Sequence, residues 1–145
     1  MSKKKLTALI LAAGYSSRMG DFKPLLPLNG KPVIAQTISS FHEAGITDIR
    51  VVVGYRANDL LPILDRLGVE TIINERYDYG MFSSVLAGLS TFNSGVEGFF
   101  LLPGDIPLVK SQTINKLITK YELSHYSVFY PTYQGKRGHP PLITR

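Results

Sequence analysis

Short apolar runs alternate with longer segments of helical spacing along this chain, and that alternation constrains its fold more than any other feature. The first run, residues 6–12, ends just before Gly14 and is typical of a strand buried on both faces. We predict strands at residues 6–12, 49–53, 69–73, 98–102, 127–130 and 141–143, and helices at residues 32–44, 57–67, 81–92 and 112–123. Because strand and helix alternate four times, the chain is predicted to form an α/β fold, a Rossmann-like three-layer sandwich with a mostly parallel sheet.

Proline, glycine and serine mark the expected ends of the helices. Pro32 suits the first turn of the first helix, and Gly45 and Gly68 suit the ends of the first two helices. Ser111 is the expected N-cap of the last helix. Ligands of such sheets bind beyond the carboxyl ends of the strands, so we expect the functional residues there.

Length and composition exclude several classes of protein. The 145 residues suit a single domain, residues 1–145, and 44% apolar with 19% charged residues is typical of a folded globular chain. The absence of cysteine excludes a disulfide framework, a cysteine zinc site, an iron–sulfur cluster and a thiol nucleophile. No membrane helix and no signal peptide is predicted, so the expected location is cytoplasmic. No helix follows the last predicted strand, and we expect the fold to continue beyond Arg145.

The formal net charge of +5 does not by itself indicate a nucleic-acid-binding protein. Three of the 16 basic residues lie at the N-terminus, at positions 3–5, and most of the others are scattered. A mildly basic enzyme that handles small anions is therefore favoured over a polynucleotide-binding protein.

The segment after the first strand has the composition of a phosphate-binding loop. Small residues up to Gly14 let backbone N–H groups approach phosphates, Arg18 offers a planar guanidinium, and Lys23 adds a second cation. Together they suit a nucleoside triphosphate, although an ordinary surface loop with two solvated charges has the same composition. The segment is neither a Walker loop nor a dinucleotide-binding loop, because Lys31 lacks a following Ser or Thr and Ser16 replaces the second glycine.

Five ordered motifs occur along the chain: Leu11-Ala12-Ala13-Gly14-x-Ser16-x-Arg18-Met19-Gly20-x-x-Lys23, Pro27-x-x-Gly30-x-Pro32, the segment Asn74, Tyr77, Gly80, Met81, Phe82, Ser83, Ser84, Val85, then Pro103-Gly104-Asp105-Ile106-Pro107, and Gly138-His139-Pro140. These motifs resemble those of the MobA-like nucleotidyltransferases, and of their molybdenum cofactor cytidylyltransferase branch in particular. They span nearly the whole chain.

The resemblance implies a role for each of these segments. Nucleotide binding falls to Leu11, Ala12, Ala13, Gly14, Arg18, Lys23, Asn74, Gly80 and Ser83, and catalysis to Arg18, Lys23 and Asp105. Asp105 is also the implied ligand of Mg²⁺, and Gly138, His139 and Pro140 are implied to bind the acceptor. Taken alone, Asp105 also suits a loop or helix cap, and Ser83 suits the N-cap of a helix that begins at Val85.

The implied reaction transfers a nucleoside monophosphate, from CTP by the resemblance, to the phosphate of molybdenum-loaded molybdopterin and releases pyrophosphate. Ala13 and the Ser83-Ser84 pair favour CTP. Two alternatives stay open: a transferase that activates a sugar phosphate, and a non-catalytic nucleotide-binding domain. A molybdoenzyme or maturation factor is the implied protein partner. Relatives extend further and carry a later acidic motif that helps to hold metal, which this chain lacks.

Overall fold

The computed structural model describes residues 5–14 and 22–145. The strands are β1 (Leu6–Ala12), β2 (Pro27–Leu28), β3 (Lys31–Pro32), β4 (Asp48–Val53), β5 (Glu70–Ile73), β6 (Gly98–Pro103), β7 (Val128–Phe129), β8 (Thr132–Tyr133), β9 (Lys136–Arg137) and β10 (Leu142–Thr144). The helices are α1 (Val33–Glu43), α2 (Ala57–Leu67), α3 (Met81–Leu89) and α4 (Ser111–Leu123), with short 3₁₀ turns at Lys23–Leu25 and Tyr77–Tyr79.

A six-stranded sheet in the order β5-β4-β1-β6-β10-β7 forms the middle layer of the fold. β1, β4, β5 and β6 run parallel, as the alternation of strands and helices predicts. β10 is antiparallel to both β6 and β7. No helix connects β7 to β10, and a parallel pair needs such a crossover, so the last strand reverses direction. The sheet is thus mostly parallel, as predicted, with an antiparallel strand, β10, near one edge.

Helices cover both faces of this sheet, which confirms the predicted three layers. On one face α1, α2 and α4 enclose the larger core, in which Ile34, Phe41, Leu64 and Ile114 are buried. On the other face α3 packs through Val85 and its neighbours against a smaller core. No helix in the described part of the chain is long and apolar enough to cross a membrane.

The expected helix ends are confirmed at two positions and wrong at three. Gly45 and Gly68 take positive φ angles of 87° and 71° just past α1 and α2. Pro32 precedes α1 instead of lying in its first turn. Ser111 is the first residue of α4, whose N-cap is Lys110, and makes no capping hydrogen bond. Ser83 is not an N-cap either, because α3 begins two residues earlier at Met81.

A buried ion network stabilises the amino end of the sheet. Arg50 on β4 is only 8% exposed, and its guanidinium donates two hydrogen bonds of 3.0 Å to Asp48 and two of 2.9 Å to Thr91. Burial alone would raise the pKa of Asp48, but hydrogen bonds from Arg50 and Thr7, with the charge of Arg50, lower it below the ordinary value. This network lies at the opposite end of the strands from the expected site.

Candidate functional site

A cleft of about 420 Å³ opens at the carboxyl ends of β1 and β6, beside the start of α3. Its lining residues are Leu11, Ala12, Ala13, Gly14, Pro24, Tyr77, Asp78, Gly80, Met81, Ser84, Pro103 and Asp105. The cleft therefore brings together three of the segments that the sequence predicts to be functional. It lies where parallel sheets bind their ligands, beyond the ends of the strands.

The turn after β1 is fixed by backbone hydrogen bonds to both neighbouring strand ends. The Leu11 carbonyl accepts from Gly104 N–H at 2.7 Å, and the Ala13 carbonyl accepts from Tyr55 N–H at 3.0 Å. Ala13 is only 2% exposed, whereas Gly14 is exposed. This rigid, small-residue floor lets a ligand lie close to the main chain.

One cation and one carboxylate face each other at this end of the sheet. Lys23 Nζ lies 3.8 Å from Asp105 Oδ2, and the two side chains are 38% and 42% exposed. Such a long and half-exposed ion pair contributes little to folding stability. Both groups can therefore change partners when a charged ligand binds.

The carboxylates of the cleft suit a divalent cation that is shared with a ligand. Asp105 and Asp78 both line the cleft and both are exposed. Within the described residues no group of three His, Cys, Asp or Glu side chains is close enough to hold a metal unaided. Mg²⁺ is commonly bound by one or two carboxylates together with substrate phosphates, so Asp105 fits that type of site.

Asn74 connects the end of β5 to the start of α3. Its Nδ2 donates to Ser83 Oγ at 2.9 Å and to Ser84 Oγ at 3.0 Å, and its Oδ1 accepts from Arg76 N–H at 3.0 Å. Asn74 is 6% exposed and does not line the cleft. The structure thus uses its whole side-chain amide within the protein.

Ser83 and Ser84 differ in their hydrogen bonding. Ser83 Oγ lies 2.6 Å from the Gly80 carbonyl and 2.9 Å from that of Arg76, so its hydroxyl donates to the backbone. Ser84 is 4% exposed and lines the cleft, and its hydroxyl accepts from Asn74. Because that bond uses only a lone pair, the hydroxyl hydrogen of Ser84 is available to a ligand in the cleft.

Gly80 allows the chain to turn into α3 at the edge of the cleft. Its φ of 99° lies in the region that favours glycine. The first backbone N–H groups of a helix lack partners within the helix and attract negative charge. Gly80 and Met81 therefore bring a polar helix end to the cleft wall.

An aromatic wall closes the cleft on the side of β4 and β5. Tyr77 lines the cleft, and its ring packs against that of Tyr55 at 6.2 Å between centroids. Tyr55 in turn packs edge-on against Phe22 at 5.9 Å. A Cβ added at Gly54 would lie 2.6 Å from the Cβ of Tyr77, so only glycine lets this wall approach β4.

The remaining predicted site residues lie elsewhere or are not described. Arg18 falls outside the described residues. Gly138, His139 and Pro140 do not line the cleft. They immediately precede β10, whose start pairs with β6 and lies toward the same carboxyl edge.

Six cleft residues have no place in the predicted site: Pro24, Tyr77, Asp78, Met81, Ser84 and Pro103. Tyr77 and Ser84 occur in the motif that resembles the family, and Pro24 directly follows Lys23. Their position next to motif residues is the sequence signal that would have indicated them.

Comparison with known proteins agrees with this architecture. Molybdenum cofactor cytidylyltransferase of Escherichia coli K12 is 29% identical over 97% of this chain and 70% of its own length. Bifunctional protein GlmU of Aquifex aeolicus is 35% identical over 77% of this chain, but this covers only 25% of GlmU. The chain thus spans about a quarter of that relative.

Solved structures share the fold. Rv0371c from Mycobacterium tuberculosis H37Rv superimposes with a TM-score of 0.86 at 24% identity, over 99% of this chain and 73% of that one. A nucleotidyl transferase from Methanothermobacter gives a TM-score of 0.83 at 26% identity, over 98% of this chain and 72% of that one. The family of MobA-like NTP transferase domains matches residues 8–145. The chain therefore belongs to the MobA-like NTP transferase domain family.

Proposed function

We propose that this protein transfers the cytidylyl group of CTP to the terminal phosphate of a molybdenum-loaded molybdopterin. The observation that carries the proposal is the cleft, where the rigid turn after β1, the start of α3 and Asp105 meet within one concave surface. The relative with this activity matches 97% of the chain, which supports the same assignment.

The reaction needs positioned charges more than a protein nucleophile. An oxygen of the acceptor phosphate forms a bond to the α-phosphorus of the triphosphate, the bond from that phosphorus to the bridging oxygen breaks, and pyrophosphate leaves. Lys23 would neutralise charge that develops on the phosphoryl oxygens. The phosphate monoester is already ionised near neutral pH, so no strong general base is required.

Mg²⁺ is the proposed metal, with Asp105 as a protein ligand and Asp78 as a second carboxylate on the cleft wall. The cation would neutralise triphosphate charge and orient the leaving group. With Asp105 engaged as a metal ligand, Lys23 would exchange its 3.8 Å ion pair with that carboxylate for contact with the phosphates. Arg18 is proposed to supply a second cation.

CTP is favoured by the size and polarity of the cleft floor. Ala13 keeps a methyl group where guanylyl-transferring relatives usually have a glycine, which leaves less room for a purine. The free hydroxyl hydrogen of Ser84 can be donated to a base or ribose acceptor. Neither Ala13 nor Ser84 needs to contact the phosphates, so we expect both residues to affect which nucleotide binds and not the transfer step.

A sugar-phosphate nucleotidyltransferase is the second candidate, because several curated relatives are GlmU proteins with 29–35% identity. Against it, Tyr15-Ser16-Ser17-Arg18 replaces the glycine-rich loop usual in those enzymes. The acceptor phosphate, a sugar phosphate or a pterin phosphate, separates these two candidates. A non-catalytic nucleotide-binding domain would bind nucleotide and release no pyrophosphate.

Thermal shift with nucleotides tests the proposal first. With Mg²⁺ present we expect CTP to raise the melting temperature more than GTP, UTP or ATP, because a ligand of the folded state stabilises it by mass action. Asp105→Ala should reduce the shift, whereas Asp65→Ala, which removes an exposed carboxylate on α2, should not. Pyrophosphate release is then measured with molybdenum-loaded molybdopterin and with a sugar 1-phosphate as acceptors. Equal shifts with all four nucleotides, or turnover only with the sugar phosphate, would contradict the proposal.

A further inference from the structure

The C-terminal part of the chain carries an unusual charge distribution. No Asp or Glu follows Glu122, although the protein has 11 acidic residues in all, whereas the β8–β9 hairpin carries Lys136 and Arg137. The local potential is therefore positive over the β8–β9 hairpin. A surface of this kind favours anions at short range.

Tyr130 and Arg137 form a cation–π pair on this surface, which we name the hairpin platform. Arg137 Cζ lies 4.9 Å from the centroid of the Tyr130 ring. Tyr130 is 42% exposed and Arg137 is exposed. Within the described residues Arg137 forms no salt bridge, so its N–H groups are available to an anion while the guanidinium stays close to the ring.

The hairpin platform occupies one face of the hairpin only. Thr132 pairs with Arg137 and Tyr133 pairs with Lys136. Paired residues share a face and consecutive residues alternate, so Lys136 lies on the opposite face from Arg137. Lys136 can therefore serve as a control for Arg137, because it is a neighbouring cation of the same hairpin on the other face.

Strand register brings the hairpin platform to the same sheet edge and face as the cleft. Phe129 on β7 pairs with Leu142 on β10, and Leu142 pairs with Phe100 on β6, so these three residues lie side by side across the sheet. Tyr130 is one residue further along than Phe129, toward the carboxyl end of β6. Phe129 packs into the core on the side of α1 and α4, so Tyr130 points to the face of α3. β10 alone separates β7 from β6, and two steps between strands are about 10 Å.

We propose that the hairpin platform holds the ring system of the acceptor, a planar heteroaromatic group that carries an anionic substituent. This inference rests on the proposed function, because it assigns the acceptor of that reaction to a surface two strand spacings, about 10 Å, from β6, the strand that precedes Asp105. The ring stacks on the Tyr130–Arg137 pair, and the guanidinium edge binds the anionic group or ring carbonyl. A phosphate on a short side arm then extends from the platform to the cleft.

A fluorescent pterin tests the hairpin platform without turnover. The probe is pterin-6-carboxylate, which is planar and anionic, and its fluorescence is titrated with the full chain. We expect saturable quenching, and binding at least about tenfold weaker in Arg137→Ala, the loss typical of a charge-assisted contact. Lys136→Ala should change the dissociation constant less than about twofold, because its charge lies on the other face of the hairpin. Tyr130→Phe should keep the affinity and Tyr130→Leu should lose it, since the ring and not the hydroxyl makes the contact.

The outcomes separate this inference from the proposed function. Equal losses in Arg137→Ala and Lys136→Ala, equal binding of uncharged pterin, or no quenching at millimolar probe would overturn the hairpin platform. Loss of probe binding in Asp105→Ala would place the probe in the cleft and overturn it as well. Tighter binding of a single-stranded RNA oligonucleotide through the same residues would assign the surface to nucleic acid instead. The stabilisation of Arg137→Ala by CTP is measured in parallel. If CTP still stabilises this variant but the parent protein binds no pterin probe, the hairpin platform is refuted while the proposed function is not.

Discussion

The side chain of Asn74 should stabilise the cleft without touching the nucleotide. It makes three hydrogen bonds of 2.9–3.0 Å, to both serines at the start of α3 and to the backbone of Arg76. A hydrogen bond contributes about 1 kcal/mol net, so Asn74→Ala should lower the free energy of unfolding by about 3 kcal/mol. With a urea m-value of about 2 kcal/mol/M, the midpoint would fall by about 1.5 M.

Urea unfolding and nucleotide binding, measured on the same variants, separate this role from direct contact. We expect Asn74→Ala to lose stability and to bind CTP several-fold more weakly, because the start of α3 loosens. Asn58→Ala is the control, since Asn58 is an exposed asparagine in the first turn of α2. A loss below about 0.5 kcal/mol, the range of ordinary surface substitutions, would refute the reasoning. So would unchanged stability combined with abolished CTP binding, which would make Asn74 a direct nucleotide ligand.

Three further predictions concern other charges and contacts. Gly54→Ala should destabilise the fold by about 1–3 kcal/mol in urea unfolding and weaken CTP binding, because the added methyl group meets Tyr77. Lys23→Ala should slow pyrophosphate release about 100-fold through loss of a transition-state charge, whereas Lys31→Ala, an exposed lysine of the β2–β3 hairpin, should not. Asp48→Asn should be less stable than the parent at pH 7, and the difference should shrink as the pH falls toward 3. The pKa of Asp48 is lowered in the folded state, so its stabilisation exists above the unfolded pKa of about 3.9 and is lost as the pH falls through the folded value. A difference that is constant with pH would contradict the assignment.

Although the edge strand β5 is partly exposed, most of the parallel part of the fold could be predicted from the sequence because it consists of the largely buried strands β1, β4 and β6. Such strands are continuous apolar runs, and β1 and α2 have the bounds that were predicted, Leu6–Ala12 and Ala57–Leu67. Helix ends were less predictable. Ser83 and Ser111 have side chains that suit an N-cap, but each lies inside its helix because α3 begins at Met81 and α4 begins at Ser111 itself.

The short strands could not be predicted from periodicity. β2, β3, β8 and β9 have two residues each, too few for an alternating pattern. The placement of β10 between β6 and β7 also has no local signal, because it depends on pairing between segments far apart in the chain. The resemblance predicts that residues 138–140 bind the acceptor, but the sequence gives no signal for the Tyr130–Arg137 pair, which forms between two separate segments of the chain.

Within the cleft, contiguous motifs were predictable and contacts between elements were not. The motif that contains Asn74 and Ser83 correctly points to the start of α3, yet it is Ser84 and Tyr77 that line the cleft. Two adjacent serines have the same chemistry in a sequence, and only the helix start decides which one turns to the cleft. The sequence motifs therefore predict which segments form the cleft, whereas the backbone conformation determines which of their side chains line it.

The two ends of the sheet use charge in opposite ways. At the amino end, Arg50 is 8% exposed, donates hydrogen bonds of 2.9–3.0 Å to Asp48 and Thr91 and lies 3.3 Å from Glu70, so loss of the Asp48 carboxylate would weaken the pairing of a buried charge. At the carboxyl end, Lys23 and Asp105 are 3.8 Å apart and more than a third exposed, so either can leave the other at little cost. A group that must neutralise an incoming triphosphate or metal cannot also be committed to the fold. The loosely paired charges at the carboxyl end are thus the ones that a ligand can recruit, and the tightly paired charges at the amino end keep the strands in register while it does so.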